Sequence, residues 1–154
     1  MQYPAYPIED HSSDYLLYLF TSQGPKGDII KLVEFTPLPD ELFPLAYRPV
    51  LNLALLDYDP LTGETSDTSR TDNGDRDKVL ATVAQTIYQV TTHYPQTLIY
   101  FLGSTGSRTR LYRRVFSLLY QEIAADFVVL GKHNDTFEPF AMGTDYEGFL
   151  LKRK

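Results

Sequence analysis

From Lys78 to Thr92 the residues Val79, Val83, Ile87 and Val90 recur at helical spacing, and Leu80, Ala84 and Tyr88 widen the stripe. A few residues later the chain reads TLIYFL (97–102), apolar on both faces. A period near 3.6 residues marks an amphipathic helix, whereas a short run without a polar face marks a strand buried from both sides. His93-Tyr94-Pro95 separates them, and a residue before proline is driven out of the α region, so the helix ends there. A helix that returns the chain to a buried strand is a crossover. The pair therefore predicts a sheet with a helix packed on it.

The rest of the chain fills in that sheet. YLLYLFT (15–21) and IIKLVEF (29–35) read as a hairpin across the turn-rich SQGPKGD. A proline-rich connection, TPLPDELFPLAYRP, leads to LNLALLDY (51–58), whose near-continuous apolar character predicts a central strand with burial on both sides. Residues 64–71 read as a short edge strand or a loop. DNGDRD (72–77) opens the first helix, with Asp75 or Asp77 as its cap and acidic charge at the positive end of the dipole. A second helix is predicted over 108–124, and short apolar segments after it close the sheet. The element order is β-β-β-α-β-α-β-β. The fold class is α+β, a mixed α/β sheet in a single domain over 1–154, with residues 1–14 as an extended N-terminal arm.

Composition narrows the function. The 154 residues suit one core, and 43% hydrophobic content excludes a disordered chain. With no cysteine, disulfides, thiol nucleophiles and thiolate metal sites are all excluded. MQYPAYPIED lacks the basic and apolar regions of a signal peptide, and no apolar run reaches membrane-spanning length. A cytoplasmic location is expected. Residues 1–77 carry 14 acidic and 5 basic side chains, residues 78–154 carry 6 and 9. The acidic excess argues against extended binding to nucleic acid, while the second half retains a basic patch.

That patch is FLGSTGSRTRLYRR (101–114), which reads as strand, small-residue loop and helix start. Unpaired backbone N–H groups and the helix dipole favour an anion there. Gly103 and Gly106 let the backbone approach a ligand, Ser104, Thr105 and Ser107 add hydroxyls, and Arg108 and Arg110 can clamp a phosphate or carboxylate. The alternative is a structural one, in which a hydroxyl residue caps the helix and the arginines face solvent or the acidic first half. Cations in a first helical turn oppose the dipole by a few tenths of a kcal/mol each, roughly, which calls for a partner charge. Asp72, Asp75 and Asp77 are candidate charge partners. They do not meet the calcium-loop pattern, and no metal site is expected. His11, His93 and His133 show no metal spacing. Tyr112, one turn into the second helix, is either a general acid or an aromatic packing on Phe116.

NGDRDKVLATVAQTI (73–87), GSTGSRTRLYRR (103–114) and EPFAMGTDYEGFLLKRK (138–154) resemble an uncharacterised family of small bacterial proteins of Bacteroidetes type, covering the chain from about residue 50. That resemblance implies a bacterial origin and no assigned activity. The element order resembles, more loosely, the GNAT acyltransferase fold. It implies acyl-CoA chemistry in which Tyr112, matching the family's Leu-Tyr dipeptide as Leu111-Tyr112, protonates the departing thiolate. RTDNGDRD (70–77) has Arg70 and Gly74 but not the spacing of that family's cofactor loop.

Three functions follow. The first is a non-catalytic binding or interaction module with an anion site at 103–110. The second is a GNAT-like acyltransferase, the one reading with a cofactor, acetyl-CoA. The third is one member of a bacterial operon pair, of toxin–antitoxin or defence type, that binds a protein or nucleic acid. The expected partners are a phosphorylated small molecule or a protein, with a homodimer as a further arrangement and no membrane.

Overall fold

The computed structural model describes residues 4–66, 74–102, 120, 123–141, 143–144 and 146–154. Among these residues, one mixed sheet of nine strands and one long helix make an α+β protein. The strands are β1 (Asp10–His11), β2 (Leu17–Gly24), β3 (Gly27–Pro37), β4 (Val50–Tyr58), β5 (Thr65–Ser66), β6 (Leu98–Leu102), β7 (Phe127–His133), β8 (Thr136–Pro139) and β9 (Gly148–Arg153). Their order across the sheet is β1-β2-β3-β4-β6-β9-β7-β8, with β5 added to β4. The helix α1 (Arg76–His93) connects β5 to β6.

The predicted hairpin is present, and its turn is tighter than the seven-residue loop read from sequence. Gly24 pairs directly with Gly27, leaving Pro25 and Lys26 at the tip, and Gly27 takes φ +88°, which a side chain would strain. β4 is central, lying between β3 and β6, but only Val50 and Leu51 are fully buried and residues 53–58 are half-buried. Among the described residues three strands, β7, β8 and β9, follow residue 126, where the sequence reads as apolar closing segments. The second helix predicted over 108–124 lies outside the described residues up to residue 119. At its end only Tyr120, Ile123 and Ala124 are described, and there the Ala124 amide donates to the Tyr120 carbonyl.

The chain divides into two compact units, Met1–Thr36 with Leu53–His93, and Pro37–Asn52 with Tyr94–Lys154. In the first, alternation along β2 and β3 sends Tyr18, Phe20, Ser22, Lys31, Val33 and Phe35 to one buried face. Helix α1 is fastened at both ends. Near its start Thr82 Oγ1 accepts the Tyr6 amide at 2.9 Å. At its end His93 stacks on Tyr15, whose other face carries His11, with ring centroids 4.2 Å and 4.5 Å away. Tyr15 holds φ +62° because the turn around it is pinned. Ser12 Oγ accepts the Leu17 amide and donates to Asp14, and that donation, followed by the Leu16 amide's bond to the same carboxylate, keeps the Asp14 carboxyl below its ordinary pKa. The buried threonines of α1 turn their hydroxyls back to the helix, Thr82 to the Lys78 carbonyl and Thr86 to that of Val83.

The second unit has two sheet faces. Ile99, Phe127, Val129, Phe149 and Leu151 form one, and there Tyr146 lies flat on Gly131. A Cβ at Gly131 would sit 2.3 Å from the Tyr146 ring, so only glycine permits this approach. The other face is Val50, Leu98, Tyr100, Leu130 and Leu150. Phe43, with Leu38, Tyr47 and Phe137, covers it.

Candidate functional site

β6 runs parallel to β4, with Val50 opposite Leu98 and Asn52 opposite Tyr100, whereas the other strand pairs whose register is described are antiparallel. It ends at Leu102, immediately before the sequence GSTGSRTR. Gly103, Ser104, Thr105, Gly106, Ser107, Arg108 and Arg110 lie outside the described residues, as do Asp72 and Tyr112.

Asp75 and Asp77 are described, and their roles differ. Asp77 is exposed in the first turn of α1, where its charge suits the dipole. Asp75 stands just ahead of the helix, and its carbonyl accepts the Val79 amide. One carboxylate oxygen, Oδ2, accepts both the Tyr6 and the Ser22 hydroxyls at 2.5 Å. Tyr6 Oη in turn accepts the Gln23 amide at 3.0 Å, and the Lys78 ammonium lies 4.2 Å from the centre of the Tyr6 ring. Burial, and then the hydrogen bond to Asp75, raise the Tyr6 phenol above its usual pKa. Ser22 is fully buried and Tyr6 nearly so. The cluster therefore fastens the N-terminal arm to the hairpin and the helix start. A nucleophile would need solvent access that Ser22 does not have.

A second polar pair is set in the same unit. Lys31, on β3 with its side chain 5% exposed, forms an ion pair and hydrogen bond with Asp57 on β4. Phe20 is its partner across β2 and β3. Sequence reading passed over this pair, although the signal was present. Lys31 shares the parity of the buried Val33 and Phe35, and Asp57 closes an otherwise apolar run. A lysine on the buried face of a strand requires an anion beside it.

In the second unit, Tyr100 sits against Phe43 at 5.7 Å between centroids. Burial, and then the Glu147 carboxylate, push its phenol up to about 12. Such a group stays protonated through the physiological range and serves as a hydrogen-bond donor, not a base. Among the described residues no group of three or more His, Asp or Glu side chains is arranged to hold a metal. Among them also, no helix is long and apolar enough to cross a membrane.

The described residues thus define an α+β protein on a single mixed sheet, with polar clusters that secure structure. Residues 2–154 match the family described as a family of unknown function, DUF6934, and the chain belongs to it. No curated protein and no solved structure matches the chain.

Proposed function

We propose that the chain is a non-catalytic binding or interaction module, whose ligand is a phosphate- or carboxylate-bearing small molecule held at residues 103–110. The parallel pairing of β4 with β6 carries this reading. Gly103 follows the carboxyl end of a strand in a parallel pair, the end at which such sheets bind ligands. The sequence that follows supplies glycines for close backbone approach, three hydroxyls and two guanidiniums.

The described polar clusters support a binding role over a catalytic one. Asp75 serves Tyr6 and Ser22, and Lys31 serves Asp57. The acyltransferase reading ranks second because it would seat a pyrophosphate at the start of α1. There Asp75, just ahead of the helix, and Asp77, in its first turn, already carry negative charge, and a pyrophosphate would be repelled.

Calorimetry with inorganic phosphate and pyrophosphate tests the proposal. The wild-type chain is expected to bind, and the Arg108→Ala/Arg110→Ala variant to lose binding at an unchanged melting temperature. Absence of binding by the wild type, or equal affinity in the variant, rejects the site. Saturable binding of acetyl-CoA that survives the double substitution would promote the second reading.

A further inference from the structure

We propose that one face of the second unit is a self-association surface and that its occupant is a second copy of this chain. The surface joins two features. One is the cover, residues 37–49, which lies over Leu130 and Leu150. The other is the neighbouring cross-strand pair Val128 and Lys152, two residues further along β7 and β9 on the same face. The cover stops short of that pair, leaving Val128 42% exposed and Lys152 exposed.

The cover is built to present side chains outward. It holds two short 3₁₀ turns, Asp40–Leu42 and Leu45–Tyr47, each preceded by a proline, Pro39 and Pro44. Between them Phe43 is buried in the aromatic cluster, its amide donates to the Asp40 carbonyl and its own carbonyl accepts Arg48 Nε at 2.8 Å. With Phe43 facing inward, Leu42 and Leu45 face outward, 64% and 81% exposed. A single exposed leucine is ordinary. Two on successive proline-stiffened turns, over the sheet face that carries an exposed valine, are apolar area whose ordering entropy is already spent.

Charge identifies the partner. The cover carries Asp40 and Glu41, both exposed, and the strand end carries Lys152. An acidic–apolar patch and a basic–apolar patch within one unit make a surface complementary to itself. A two-fold axis sets the cover of each copy on the strand end of the other, so each contact occurs twice and the assembly closes. The surface uses none of residues 103–110, so its failure and the failure of the anion site are separate results.

Sedimentation equilibrium of the full chain tests this. The wild type is expected to show a concentration-dependent monomer–dimer equilibrium that weakens with salt. Leu42→Asp/Leu45→Asp is expected to be monomeric throughout, with unchanged circular dichroism and melting temperature. Lys152→Glu and Asp40→Lys/Glu41→Lys are each expected to weaken the dimer about tenfold or more, and the three together to restore most of it. A wild type that remains monomeric at hundreds of micromolar overturns the proposal. So does a dimer indifferent to Leu42 and Leu45, or a charge exchange that restores nothing.

Discussion

The two units bury different kinds of side chain. The first takes charge and hydroxyls inside: Lys31 with Asp57, and Ser22 and Tyr6 on Asp75. The second fills its interior with rings and aliphatic groups, and in it one ring lies directly on a glycine. Buried polar pairs hold a fold by matched partners and fail when one partner is lost, whereas apolar packing fails through changes of volume. The first unit should therefore be sensitive to charge and hydrogen-bond deletions, and the second to a methyl group.

The largest effect is expected at Asp57. Asp57→Ala leaves the Lys31 ammonium buried beside no carboxylate, at a cost of about 3–5 kcal/mol in urea unfolding. The double variant Lys31→Met/Asp57→Leu, which removes both charges and keeps the volume, is expected to be neutral or stabilising. If the single and the double variant cost the same, the pair does not behave as a buried charge. Next is Gly131→Ala, which drives a Cβ into the Tyr146 ring and is expected to cost about 3 kcal/mol, near the top of the overpacking range. A smaller loss, about 1 kcal/mol, is expected for Tyr6→Phe, which deletes one donor to Asp75 while Ser22 keeps its bond.

The smallest effect at neutral pH belongs to Tyr100. Its folded pKa of about 12 lies above the ordinary 10.0, so the protonated form is favoured in the folded state. The resulting stability is fully present below pH 10 and is lost as pH rises towards 12. Tyr100→Phe is expected to flatten the alkaline limb of a stability–pH curve and to leave the value at pH 7 little changed. An unaltered alkaline limb would show that Tyr100 does not set it.

The same contrast explains what could be read in the sequence. The hairpin and α1 were legible from their alternation and helical spacing, and β4 and β6 from short continuous apolar runs, all of them local properties. Strand β1 was not, since two residues make no pattern. The 3₁₀ turns of the cover were read only as a proline-rich connection, because the burial of Phe43 depends on Leu130 and Leu150, some ninety residues away or more. Among the candidate charge partners, Asp75 was correctly placed at the helix start, but its ties to Tyr6 and Ser22 span 69 and 53 residues. No short window contains such a contact. Lys31 is the exception, because its parity was visible and only a rule against buried lysine was needed to pair it.

The stack of His11, Tyr15 and His93 gives the first unit a reporter that needs no label. The chain has no tryptophan and three histidines, so imidazole proton resonances are few and easily assigned. Aromatic ring currents shift the signals of nuclei held over a ring face, and two of those imidazoles lie on opposite faces of one phenol. Undocking of the end of α1 would return the His93 resonance towards its free position while the His11 signal kept its displacement. The two signals therefore separate release of the helix from opening of the turn between β1 and β2.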